Sequence, residues 1–150
     1  MATAIPDLWP EVIEPDQVLA PSLILRQQAN NLGERTHNIV VGEVESRALA
    51  RNRSAVLKYF PDAEIEHTFF ISAPLVGVRV PIIVLQHGLS AYPSVVETSR
   101  IKSNPTQIDS SDALIDFLRK ILSDETTLHV VRSLLAVSQD SAPMELADAK

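Results

Sequence analysis

Between Val78 and Leu85 the chain carries apolar residues on both parities. Val78, Val80, Ile82 and Val84 fall on one, Ile83 and Leu85 on the other, with Arg79 and Pro81 between them. The run ends at Gln86-His87-Gly88 and predicts a β-strand over 78–86. Upstream, residues 64–73 alternate more cleanly: Ile65, His67, Phe69 and Ile71 against Glu66, Thr68, Phe70 and Ser72. Residues 38–46 do the same, with Val40, Gly42 and Val44 against Ile39, Val41, Glu43 and Glu45. Alternation at period two is the mark of a strand with one face covered. The reversal Pro74-Leu75-Val76-Gly77 predicts that the strands on either side of it pair antiparallel. A fourth alternating stretch, 94–101, follows the turn at Ser90-Ala91-Tyr92-Pro93.

Helical periodicity flanks these strands. Pro21 suits the first position of a helix and Gly33 its left-handed cap, with Leu25, Ala29 and Leu32 at i, i+4 and i+7 between them. After residue 109, capped by Asp109, Ser110 or Ser111, the positions Leu114, Ile115, Leu118, Ile121 and Leu122 form one apolar face. A second face, Leu128, Val131, Leu134 and Leu135, follows a break at Ser123-Asp124 too short for anything but a helical hairpin or corner. The expected fold is α+β: a four-stranded antiparallel meander preceded by one helix and followed by a two-helix C-terminal hairpin, in the order α-β-β-β-β-α-α. Residues 1–20, with Pro6, Pro10 and Pro15, form an extended arm, expected to be pinned on the domain by Leu8, Trp9, Val12 and Ile13. The single domain covers 21–138. Residues 139–150 are expected as a flexible acidic tail, and 47–62 as a long connection whose end, Val56–Phe60, extends the next strand.

Two helices and an acidic tail after four consecutive strands resemble, in element order, the export chaperone SecB; the N-terminal helix is additional. The resemblance implies a protein-binding role.

The two-sided apolar run is the feature with functional weight. Something must cover Ile83 and Leu85, because exposing one such side chain forfeits about 1.5–3 kcal/mol: the N-terminal helix and arm on one side with the C-terminal helix pair on the other, a second copy of the chain, or a different protein. Pro81 cannot donate a ladder hydrogen bond and marks an edge or a bulge. Trp9, Pro81, Ile83 and Leu85 are therefore the interface candidates, for a second copy of the chain or another protein.

Charge narrows the partners. The net charge is −6 over 150 residues, with 3 basic against 7 acidic residues in 1–50, 6 against 4 in 51–102 and 4 against 8 in 103–150. An acidic domain repels phosphate backbones, which argues against nucleic acid and anionic membranes. The basic group Arg51, Arg53 and Lys58 reads as a solvated loop. No stretch reaches the apolar length of a membrane span, and the N-terminus lacks the pattern of a signal peptide. Together with the absence of cysteine, this gives a cytoplasmic expectation.

Catalytic chemistry finds little support. The strand running into His87-Gly88 is similar to the oxyanion-loop entry of an α/β-hydrolase, but no Gly-x-Ser-x-Gly elbow follows. His37, His67, His87 and His129 have no metal-ligand spacing, and the four glycines are too scattered to form a phosphate loop. No cofactor, metal or catalytic residue is assigned. The expected function is a non-catalytic protein-binding domain of the immunity, antitoxin, adaptor or chaperone kind. The alternative is a small-molecule-binding or enzymatic domain with a sheet–helix pocket built from His67, His87 and Tyr92.

Overall fold

The computed structural model describes residues 4–49, 63–101 and 104–148; the basic group at 51–58 and the segment Val56–Phe60 lie outside them. The elements run α1 (Pro21–Arg35), β1 (Val41–Ala48), β2 (Ile65–Ala73), β3 (Val78–His87), β4 (Ser94–Thr98), β5 (Thr106–Ile108), α2 (Ser111–Leu122) and α3 (Glu125–Asp148). The sheet has five strands in sequential order, every neighbouring pair antiparallel. The expected meander is thus present with one strand more. β5 is only three residues long, too short to leave a period in the sequence. Among the described residues no helix is long and apolar enough to cross a membrane.

α1 starts at Pro21, whose missing N–H costs nothing at that position. It does not stop at Gly33. Gly33 is buried within the helix, and the chain reverses at His37 and Asn38, both at positive φ (53° and 62°). Asn and His tolerate that region better than most residues. The Thr36 hydroxyl closes the turn, donating to the Val40 carbonyl (2.6 Å) and accepting from the Val40 N–H (3.1 Å). This turn delays β1 to Val41. Gly77, at φ 68°, completes the reversal between β2 and β3. Ser110 caps α2 by accepting from the Ala113 N–H at 3.2 Å, and the Asp124 carboxylate does the same for the Thr126 N–H at 2.9 Å, so the two C-terminal helices are separated by a two-residue break. α3 continues through the stretch expected as a tail, where Met144, Glu145, Leu146 and Ala147 are good helix formers.

Residues opposite one another in an antiparallel ladder point to the same face, and the register therefore sorts the sheet. Val44 lies opposite Phe69, and Phe69 opposite Ile83; His67 lies opposite Leu85, and Leu85 opposite Val96. This face is covered by the helices. Gly42 lies so close beneath α1 that a Cβ there would sit 2.4 Å from the Cα of Ala29. α3 packs on β2 and β3, and α2 bridges α1 and β5.

A register shift between Phe69 and Phe70 corrects the reading of β3. Phe69 pairs with Ile83, but Phe70 pairs with Pro81 and Ile71 with Val80, leaving Ile82 as the extra residue of a bulge. One extra residue inverts the alternation. Val78 and Val80 before the bulge, and Ile83, Leu85 and His87 after it, consequently share the helix-covered face. Ile83 and Leu85 are fully buried in the one core that also holds Val80, Phe69, Leu25 and Leu114. β3 is central rather than an edge strand. Pro81 is accommodated because β4 pairing ends at Ile83, with one further bond from the Ser99 N–H to the Ile82 carbonyl.

The other face is polar. Arg79 holds Glu45 (2.6 Å) and Glu43 (3.4 Å), with its guanidinium 3.6 Å over the Phe70 ring. Arg47 meets the buried Glu66 at 2.5 Å, and Gln86 donates to the same carboxylate at 3.0 Å.

Residues 4–19 depart from expectation in the opposite direction. Ile5, Leu8, Trp9, Val12 and Ile13 are 69 to 87% exposed, so the arm is not pinned on its own core. Its hold on the body is at its base, where the Tyr92 hydroxyl donates to the Leu19 carbonyl at 2.8 Å.

Candidate functional site

Three strands bring three side chains into one line on the helix-covered face. Ser46 of β1 is directly opposite His67 of β2, and His87 of β3 is one diagonal step further. The Ser46 Oγ is 2.6 Å from His67 Nδ1, His67 Nε2 is 2.9 Å from His87 Nε2, and His87 Nδ1 is 2.6 Å from the Gly88 carbonyl oxygen. Both rings are buried, stacked at 5.0 Å between centroids.

The direction of every proton in this line follows from its last member. A carbonyl oxygen only accepts, so His87 carries its proton on Nδ1 and presents a lone pair at Nε2. His67 must then donate from Nε2, which leaves its Nδ1 to accept from the Ser46 hydroxyl. The four groups form one neutral relay, Ser46 to His67 to His87 to the Gly88 carbonyl, with no unmade bond on either ring.

Protonating His67 breaks that relay. Burial lowers its pKa from 6.5 to about 4; the adjacent His87 and Arg26 add to the effect, and Glu66 opposes it. The folded state thus resists a proton that the unfolded chain accepts near 6.5. The contribution to stability is nil above that pH, turns unfavourable as pH falls from 6.5 towards 4, and levels off below. Its full size is on the order of 3 kcal/mol. In urea titrations, the stability of wild type relative to His67→Leu should fall between pH 7 and pH 5; parallel profiles would contradict the relay.

Chemically, a serine hydroxyl bonded to a histidine that is itself oriented by a third group has the connectivity of an activated nucleophile. Two things separate it from one here. His67 is too weak a base at neutral pH to take the serine proton efficiently, and both rings are buried, only the exposed Ser46 reaching a hollow of about 380 Å³ beside Arg47 and Glu66. Two imidazoles also fall short of a metal-ligand set; among the described residues no group of three or more His, Asp or Glu converges.

Of the expected pocket residues, His67 and His87 are brought together, while Tyr92 turns to the arm, its hydroxyl pKa raised by burial. Of the interface residues, Trp9 and Pro81 are exposed, whereas Ile83 and Leu85 offer no surface. Ser46 was not singled out by sequence because its partner is 21 residues away and nothing local marks it.

A larger cleft lies along the α2–α3 corner. Two adjoining hollows of about 570 and 320 Å³ run between α1 and the α2–α3 corner and share Gln28, Arg35, Leu122 and Leu128. The smaller is the more apolar, floored by Phe69 and Ile71 and walled by Leu32 and Val131. The larger adds Ile24, Ile115, Leu118 and Arg119. None of His67, His87 or Tyr92 lines this cleft.

Fold and site together define an α+β domain with a buried histidine relay, a helix-walled cleft and an exposed arm. No known protein family, curated protein or solved structure matches the chain, and with five strands ahead of α2 the element order departs from the four-strand order that resembled SecB.

Proposed function

We propose that this chain is a non-catalytic protein-binding domain, of the immunity, antitoxin, adaptor or chaperone kind, and that its contact element is the N-terminal arm rather than the sheet. The observation that carries the reading is the exposure of Ile5, Leu8, Trp9, Val12 and Ile13 in one extended segment. Burying each such side chain is worth about 1.5–3 kcal/mol, and isolated apolar residues on a surface are ordinary whereas a contiguous set marks a contact site. A proline-stiffened segment has less backbone freedom to lose on docking than an ordinary linker. Trp9, with its indole N–H, is the residue type that most often anchors interfaces. The polar face of the sheet, where Glu66 and Gln86 are buried and the ion pairs are already made, supports no equivalent role. On the same reading the chain works in the cytoplasm, without membrane, nucleic acid or cofactor.

A photo-reactive benzophenone residue at position 9 tests this, with one at the exposed Leu89 as control. The expected result in cells is protein adducts from position 9 and few from position 89. Equal yields, or none from position 9, would remove the proposal.

A further inference from the structure

The arm and the cleft complement each other in three respects. The first is apolar character: Trp9 has no cover of its own, and the smaller hollow is walled by the half-buried Leu32, Leu128 and Val131 over the buried Phe69. The second is charge. Residues 4–20 contain Asp7, Glu11, Glu14 and Asp16 and no basic residue, while Arg35 and Arg119 stand at the cleft. Arg35 has no ion-pair partner among the described residues, and the Arg119 pair with Asp116 at 2.8 Å is between two exposed side chains, a pairing worth at most about 1 kcal/mol. The third is length. The eleven steps from Trp9 to Ala20 reach at most about 34 Å at the rise of polyproline chain, more than the roughly 22 Å axis of α1.

Resting on the protein-binding reading above, we infer that the arm of one chain docks in the α1–α2–α3 cleft of a second copy, with Trp9 in the apolar hollow and the arm carboxylates beside Arg35 and Arg119. The exposure of the arm on its own chain selects the second copy over the chain's own cleft. The arm is tied at Leu19 beside Tyr92, and Ala20 is extended (φ −64°, ψ 142°) as it enters the N-terminal end of α1. Arg35 and Leu32 are at the other end of that helix. To reach them the same chain must double back along α1, which it does not do: Ile5, Leu8, Trp9, Val12 and Ile13 all stay 69 to 87% exposed. The arm instead leaves the body with bends at Gln17 and Val18 and carries Trp9 away from its own cleft, 75% exposed. Reciprocal exchange of two arms closes a two-fold dimer and leaves no arm free to propagate a chain of contacts.

Trp9 is the only tryptophan, so its fluorescence reports the docking directly. In the purified full chain, emission should move to the blue and acrylamide quenching should fall several-fold as concentration rises. Arg35→Glu, on an exposed side chain and with the fold checked by circular dichroism, should move that transition to at least tenfold higher concentration, and Leu128→Glu should do the same or more. Red, freely quenched emission at every concentration overturns the inference; so does blue emission that is independent of concentration, which is docking within one chain. Protection of Trp9 only on adding a different protein, with the pure chain monomeric, also overturns self-docking yet leaves the protein-binding reading standing, whereas absence of adducts from position 9 in cells removes both.

Discussion

Leu85→Ala should lower stability by about 2–5 kcal/mol, among the largest single-residue effects in the chain. Leu85 is fully buried, opposite both His67 and Val96 and in the cluster that joins the sheet to all three helices. Truncating it leaves a cavity that α3 and β2 can only partly fill. Its neighbour Val84 lies opposite Thr68 and Glu97 on the polar face and is half-buried, so Val84→Ala should cost clearly less. Urea midpoints for the two variants, compared at equal m-values, read the bulge directly. If the order of the two costs were reversed, the faces of β3 would be the opposite of those described, and Leu85 would again be a surface residue in need of a partner.

Gly42→Ala should be nearly as damaging, for the opposite reason. A single added methyl would stand 2.4 Å from the Cα and 2.7 Å from the Cβ of Ala29, with the Phe69 ring at 3.1 Å. The nearest obstacle is backbone and cannot rotate away, so α1 must lift from β1. Overpacking of this kind costs about 1–3 kcal/mol and occasionally more. Adding Ala29→Gly to the variant should recover part of the loss, less about 1 kcal/mol for a glycine inside a helix. Gly77→Ala is the useful contrast. Nothing lies within 4 Å of a Cβ there, and only the positive φ is unfavourable, at about 1–2 kcal/mol. A Gly42→Ala variant as stable as wild type would mean that α1 does not sit on β1 as described.

Much of this fold is legible in the sequence because the relevant signals are local. Pro21 starts α1, period two marks β1 and β2, Gly77 makes the reversal, and the apolar faces of α2 and α3 follow from their spacing. What escapes is non-local or rests on one residue. β5 is too short to show a period, and it becomes a strand only by pairing with Ser94, Val95 and Val96. The left-handed turn uses His37 and Asn38 where Gly33 looked the better candidate, since Gly33 is wanted inside the helix: a Cβ there would meet the Asn38 Oδ1 at 2.8 Å.

The bulge is the most instructive case. Pro81 announced it, yet the faces of Ile83 and Leu85 depend on whether an extra residue is inserted, and a slip of one inverts every position beyond it. A run that looked two-sided is therefore one-sided with a change of phase, and the exposed apolar side chains lie on the arm rather than on the sheet. The histidine pair was legible only as two separate residues; which strands lie side by side decides that they share a proton line with Ser46.

The proposed association of two copies through their arms is open to a direct measurement of mass. Light scattering of the full chain beside a Trp9→Ala, Ile13→Ala double variant measures that most directly. At a concentration where wild type is associated, its mass should be near twice the 16.5 kDa of one chain, and the variant, with an unchanged far-ultraviolet spectrum, should return the mass of a single chain. A wild type already at the single-chain mass at all concentrations, or a variant that associates as strongly as wild type, would contradict it.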